Sequence, residues 1–295
     1  MISVLILTKN EELDLPGCLD SVAWSDDVQV FDSFSTDHTV EIAAARGAKV
    51  TQRAFDNYAA QRNAALHGLP FRHPWVLILD ADERIPAALR DEMFVFVRRA
   101  DPAIAAGRIR RRDFLWDRWL KYAQMSPFYI RLVRPEQAHY AREVNEVLRV
   151  EGRVLDLAEP FDHFPFSKGI THWFDKHNRY SSLEARLLLQ ARIPGAGWPL
   201  WKALFTRDFN ERRVYQKQLF YQMPLRPVIK CLYLAVVRRG FLDGRAGITY
   251  AVLQGIYEYM IDLKAHELQE ADRYGQKADA AVREHQLPAS DAVRR

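Results

Sequence analysis

Two cysteines in 295 residues, Cys18 and Cys231, exclude both a disulfide framework and a thiolate metal site. Such sparse use fits a cytosolic setting. Long apolar runs are also missing: the late stretch from Val228 to Val237 is interrupted by Lys230 and falls short of the ~20 residues a spanning helix requires. Met1 leads straight into strand-like sequence, without the charged, apolar and small-residue succession of a signal peptide. The expectation is a soluble or peripheral protein, not an integral one, in the cytosol. Extreme charge is absent too. The formal net charge is +4, which describes a mildly basic protein, and no recognisable nucleic-acid module combines its aromatic and basic residues. No internal repeat is present.

With 48% apolar residues, the chain has enough to bury a sizeable core, as one large domain or one domain with an appendage. From Ile2 to about Leu79, short β-rich runs alternate with helical patterns over Leu13 to Val22, Thr36 to Arg46 and Asn57 to Leu66. This alternation predicts an α/β sheet with helices on its faces. Pro86 to Arg99 reads as a further helix. Strand-like pieces follow at Ala106 to Arg110, Pro127 to Leu132 and Glu146 to Val150.

Three strand runs empty into acidic, polar segments. Ser3 to Leu7 leads into Thr8-Lys9-Asn10-Glu11-Glu12, Val28 to Phe31 into Asp32-Ser33-Phe34-Ser35-Thr36-Asp37, and Trp75 to Leu79 into Asp80-Ala81-Asp82. Strands joined through helices run parallel, so these exits share one edge of the sheet, where ligands of open α/β sheets bind. Paired carboxylates there suit a hard divalent cation held against phosphate. The alternative is that Asp82 starts a turn or caps the helix that Pro86 opens.

Taken with Gln61-Arg62-Asn63 and Leu79-Asp80-Ala81-Asp82-Glu83, these segments resemble, in order and spacing, the successive motifs of family 2 glycosyltransferases. Arg238-Arg239-Gly240-Phe241-Leu242-Asp243-Gly244 is similar to the carboxyl-terminal part of the bacterial lipopolysaccharide-core β-glucosyltransferase-like branch. The resemblance implies a GT-A fold, a Rossmann-like α/β domain, with a helical C-terminal extension. It also implies inversion at the anomeric carbon, a nucleotide-diphosphate sugar donor such as a UDP-sugar, Mg²⁺ or Mn²⁺, and a glycan or lipid-linked acceptor. Thr8, Asn10, Glu11, Asp32, Arg62, Asp80 and Ala81 then fall to the donor. Asp82 falls to the metal, with His163 of Phe161-Asp162-His163-Phe164 completing its shell. Glu146 stands where this branch commonly has a His-Glu pair, and is the expected catalytic base. Asn145 departs from that pattern, and Glu143 is the nearby substitute. Trp116, Trp119 and Tyr129 are candidates to stack on acceptor sugars, and Arg131 and Arg134 to meet acceptor phosphates; the alternative is aromatics packed in a core and solvated arginines.

The implied organisation is a catalytic domain over residues 1–168, a helical region over 169–278 on the acceptor or membrane-surface side, and a flexible tail over 279–295. Trp173, Tyr180, Leu183 and Leu187 share a helical face and read as core. Trp198, Leu200, Trp201, Leu204 and Phe205, flanked by Lys202 and Arg207, suit an interfacial helix or packing on the catalytic domain. Between Trp201 and Tyr250, ten Lys or Arg stand against three acidic residues, a bias expected of a surface facing phosphate or anionic lipid. Two other functions compete: a haloacid-dehalogenase-type phosphatase, opposed by Arg84 two places after the second aspartate, and a nucleotide-sugar-binding scaffold without turnover, which Asn145 favours.

Overall fold

The computed structural model describes residues 1–141, 147–191, 200–206, 215–216, 219–221 and 223–285. Its first compact unit, Met1–Ile170, opens with β1 (Ser3–Thr8), α1 (Leu15–Ser21), β2 (Val28–Asp32), α2 (Thr39–Ala45), β3 (Lys49–Gln52), α3 (Tyr58–Gly68) and β4 (Val76–Asp80). The four strands are parallel, in the order β3-β2-β1-β4. β1 and β4 are buried almost throughout because helices cover both faces, which is why they read as continuous apolar runs. Val4, Ile6, Leu77 and Leu79 pack with Leu15 and Cys18 of α1 on one face. The alternate residues Leu5, Val76 and Ile78 pack with Ala65 and Leu66 of α3 on the other. β3 is short, polar and at the sheet edge, and carries too little apolar signal to be read as a strand.

After β4 come β5 (Glu83–Arg84), α4 (Ala87–Arg99), β6 (Ile104–Leu115), β7 (Arg118–Trp119), β8 (Phe128–Val133), β9 (Ala138–Ala141), β10 (Val147–Val150), β11 (Arg153–Asp156) and β12 (Phe161–His163). β8 joins the sheet antiparallel to both β4 and β6, converting the parallel half into a mixed sheet ordered β3-β2-β1-β4-β8-β6-β12-β5. β12 lies between β6 and β5, pairing His163 with Asp113 on one side and with Glu83 on the other. β9 and β10 form a separate antiparallel pair.

The second unit, Thr171–Arg295, is helical where described. It contains most of α5 (Gly169–Ala191), with α6 (Leu200–Phe205), α7 (Arg226–Leu232) and α8 (Gly244–His285). Ala185 and Leu188 of α5 pack with Ile261 and Ala265 of α8. Trp173 is buried, but Tyr180, Leu183 and Leu187 are exposed, so the expected core stripe on α5 is corrected: its buried face runs through Trp173, Ser181, Ala185 and Leu188. α8 continues to His285, through the start of the segment expected to be a loose tail, and 286–295 lie outside the described residues. Among the described residues no helix is long and apolar enough to cross a membrane.

Candidate active site

The parallel registers bring the acidic strand exits side by side. Thr8 pairs with Asp32 and Leu7 with Asp80, so the carboxyl ends of β1, β2 and β4 lie level. Asp32 is fully buried and accepts from Thr8 Oγ1 (2.8 Å), the Ser35 amide (2.8 Å) and Gln52 Nε2 (2.9 Å). Burial pushes its pKa up, but these donors outweigh it and the net shift is downward. Asn10 adopts φ 55°, a left-handed conformation that asparagine tolerates, and its Oδ1 accepts from the Thr36 amide at 2.8 Å. The loops after β1 and β2 are thereby tied to each other.

Glu11 lies in the same loop, and its carboxylate meets Lys168 Nζ at 2.8 Å. The same amine donates to the Asn10 carbonyl at 2.8 Å, and Ser167 Oγ donates to Asp14 at 2.7 Å. The segment between β12 and α5 is thus strapped across the end of β1. Burial raises the Glu11 pKa to about 7, against the opposing pull of Lys168.

Gln61, Arg62 and Asn63, successive residues of α3, reach three different places. Gln61 Nε2 donates to Ser33 Oγ (3.0 Å), Arg62 Nη2 to Asp80 (2.9 Å), and Asn63 exchanges two hydrogen bonds with the Tyr140 backbone (2.7 and 2.8 Å). Asp80 also accepts from Arg131 Nη2 (3.0 Å), and Arg131 contacts Glu83, whose other oxygen accepts from the Asp80 amide at 3.0 Å. Burial disfavours the Asp80 charge, yet the two guanidinium groups prevail and hold its carboxyl well below the usual range. Glu83 goes the other way: burial raises it to about 7 despite Arg131.

The turn Asp80-Ala81-Asp82 is fixed from beneath by Arg84, which donates to the carbonyls of Ala81 (2.8 Å) and Asp14 (2.7 Å). Ala81 is buried. The Asp82 carbonyl accepts from the Phe164 amide at 2.9 Å, and its carboxylate lies 3.2 Å from His163 Nε2. His163 Nδ1 contacts Asp113, which also accepts from Gln124 Nε2 at 2.7 Å and lies 2.9 Å from Arg111. Burial disfavours the imidazolium, but Asp113 and Asp82 together raise its pKa to about 9.

Asp82 and His163 present one oxygen and one nitrogen donor at the sheet edge, a set that suits Mn²⁺ or Mg²⁺ once the proton leaves Nε2. Asp113 behind His163 orients the ring, as second carboxylates do for metal-binding histidines. Among the described residues no cluster of three or more His, Cys, Asp or Glu could hold an ion by itself. Asp82 and His163 alone would be a partial shell, which fits a hard cation whose remaining ligands come from substrate phosphates.

A profile described as "Glycosyl transferase family 2" matches residues 3–151, half of the chain. The chain belongs to this family. An uncharacterized glycosyltransferase of Rickettsia bellii is 36% identical over 233 residues, 70% of this chain and 77% of that protein. The "Lipopolysaccharide core biosynthesis glycosyltransferase LpsC" of Rhizobium meliloti is 26% identical over 266 residues, 85% of this chain and 89% of that one. Among solved structures, the mannosyltransferase PcManGT of Pyrobaculum calidifontis, in complex with GDP-Man and Mn²⁺, is 15% identical, with a TM-score of 0.49, covering 90% of this chain and 86% of that one.

The protein is thus a family 2 glycosyltransferase with the GT-A α/β architecture and a helical C-terminal region, and membership removes the phosphatase reading. Two acceptor expectations need revision. Arg131 is buried and committed to Asp80 and Glu83, so it forms the floor of the site. Tyr129 is flanked by Arg111 and Arg131 and meets Phe161 edge-on, which leaves it part of the packing. Trp116 is exposed at the β6–β7 turn, where it and Asp117 both take left-handed φ, 50° and 57°. Glu146, Glu143 and Asn145 lie outside the described residues, between the paired residues Ala141 and Val147. Sequence reading assigned no role to Asp14, Glu83, Asp113 or Lys168. Asp113 had one visible signal: it is the lone acid in the basic, alternating run Arg108 to Leu115.

Proposed function

We propose that this glycosyltransferase moves a sugar from a nucleotide-diphosphate donor, a UDP-sugar in the first instance, to a hydroxyl of a lipid-linked or lipopolysaccharide-core acceptor at the cytoplasmic face of the inner membrane. The observation that carries the donor half is the level row of Asp32, Asp80 and Asp82 at the carboxyl ends of parallel strands, with His163 against Asp82. Similarity to the LpsC protein supports the acceptor class.

In this reading Glu11 accepts from the base or ribose, while Asp32, expected from sequence to touch the donor, is fully buried and committed to Thr8, Ser35 and Gln52, and acts with Thr8 and Asn10 to hold the donor loops. Arg62 faces the diphosphate while keeping Asp80 ionised, and Asp80 and the Ala81 backbone position the donor sugar. Asp82 and His163 are the residues that would hold Mn²⁺ or Mg²⁺. The chemistry such an ion supplies is neutralisation of the charge that builds on the diphosphate, which favours the transition state over the ground state. Glu146 takes the acceptor hydroxyl proton as the oxygen bonds to the anomeric carbon from the face opposite the leaving group. The nucleoside diphosphate departs with the electrons of the broken bond, and configuration inverts. Trp116 stacks on the acceptor sugar.

The test is a screen of UDP-, GDP-, dTDP- and CMP-sugars with Mn²⁺ or Mg²⁺, following nucleotide release with and without a core-oligosaccharide acceptor. Acceptor-stimulated, metal-dependent release from one donor is expected. Release that no acceptor of this class stimulates contradicts the acceptor assignment, and binding without release points to a non-catalytic scaffold.

A further inference from the structure

α7 runs into a π-helical turn, Tyr233–Val237, and then through a 3₁₀ turn, Gly240–Asp243, into α8. The two helices pack closely. Gly255 of α8 brings its backbone against Pro227 and Cys231, where an added Cβ would stand 3.1 Å from the Pro227 carbonyl oxygen. Arg226 is buried on this inner side, within 3.4 Å of Glu258 and 3.5 Å of Asp262. Leu234 is buried with it.

The rest of the hairpin inverts the usual order. Val228, Leu232, Val236 and Val237 are 53 to 70% exposed, and Phe241 and Leu242 at the turn are 53% and 45% exposed. On α8, Ile248, Val252 and Ile256 follow at intervals of four, again exposed. Across residues 225–256 the sequence has one acid, Asp243, and it is buried. The outer charges are Lys230, Arg238, Arg239 and Arg245, all positive.

A contiguous apolar surface with basic residues around it needs an occupant that accepts both. A second copy of this face would set arginines against arginines, which like-charge juxtaposition disfavours. A bilayer bearing anionic lipid complements both features. The helical rod from Arg226 to Val237 is only about 18 Å long at 1.5 Å per residue, so it lies on a membrane instead of crossing it.

We propose that the α7–α8 hairpin is a docking surface for an anionic bilayer, with Phe241 and Leu242 entering the headgroup region and Lys230, Arg238 and Arg239 meeting lipid phosphates. This deepens the lipid-linked acceptor reading by naming the surface that brings the enzyme to its substrate. It places the membrane contact apart from α6, whose exposed Trp201 and Phe205 the sequence left open between an interfacial helix and packing on the catalytic domain.

The test sediments the full chain with vesicles of phosphatidylcholine alone and with vesicles containing about one-third phosphatidylglycerol. Binding is expected only to the anionic vesicles, weakening as salt rises. Arg238→Gln and Arg239→Asn should each lower affinity about fivefold, and the double variant Phe241→Ser/Leu242→Ser about tenfold or more. Nucleotide release in solution should be unchanged in all of them, which shows that they fold. Equal binding to both vesicle types, no binding, or release from vesicles by Trp201→Ser but not by the hairpin variants overturns the proposal. So does a concentration-dependent dimer that the hairpin variants dissolve. Transfer to a soluble core oligosaccharide without vesicle binding overturns docking alone; vesicle binding without transfer to any such acceptor overturns the acceptor class alone.

Discussion

In the sheet unit, Asp80, Glu83, Arg62 and Arg131 are drawn inward and paired, whereas at the α7–α8 turn of the helical unit the basic residues remain outside and apolar side chains stand beside them. The first arrangement takes charges out of water, which costs several kcal/mol per ion unless partners and hydrogen bonds offset it. Its return is position: Asp80 has one orientation because three groups hold it. The second leaves apolar surface in water, and its return is attachment to something else. Both sets of residues depart from ordinary burial rules, and in the proposed function each departure serves a different half of the task, holding the donor and meeting the acceptor's environment.

The largest break in this comparison is Arg131→Met. Buried Glu83 and half-buried Asp80 lose their shared partner, so unfolding should show a loss of about 3–5 kcal/mol, most of it from Glu83, read from urea denaturation. A near-neutral result would mean that the network contributes nothing to the sheet unit. In the helical unit, Gly247→Ala should cost about 1–3 kcal/mol, because its Cβ would fall 2.0 Å from the Gly240 carbonyl oxygen. That loss should come with altered vesicle binding and little change in solution turnover, sharpening the division between the units.

A smaller effect separates positioning from structure. Asp113→Asn leaves His163 in place but weakens its orientation, so Mn²⁺ affinity should fall about 10- to 100-fold, measured by titrating nucleotide release. An unchanged affinity would assign Asp113 to packing alone. The smallest effect concerns Glu11. Its folded pKa, about 7, lies above the ordinary 4.5, so the unfolded state ionises first and folding loses stability as pH rises through that window. Lys168→Ala removes the opposing amine and should extend the loss to higher pH, by less than about 1 kcal/mol. Urea midpoints of the two proteins across the range would show the gap widening with pH.

The parallel half was legible because its strands are buried on both faces and its helices begin and end near clear polar boundaries. Ser3 to Leu7 and Trp75 to Leu79 became β1 and β4 with shifts of one residue. The mixed half was harder. β5, β7 and β12 are two or three residues long, and their pairing is decided by partners far along the chain, as in His163 with Asp113. For the same reason Arg131 could be recognised as a cation near the site but not as a buried one. The α5 stripe failed because Tyr180, Leu183 and Leu187 are apolar at helical spacing yet lie outside, while the buried face uses Ser181 and Ala185. Periodicity finds a face; it does not say which face is covered.

The most direct test of the central claim compares nucleoside diphosphate release by the wild type and Asp82→Ala, with and without Mn²⁺, across the sugar-nucleotide panel. The account predicts metal-dependent release from one donor, lowered about 100-fold or more in the variant, with the fold retained and a modest loss of thermal stability from the missing Asp82–His163 contact. Release at the wild-type rate by Asp82→Ala, or release indifferent to metal, would contradict the assignment of the donor diphosphate to this edge of the sheet.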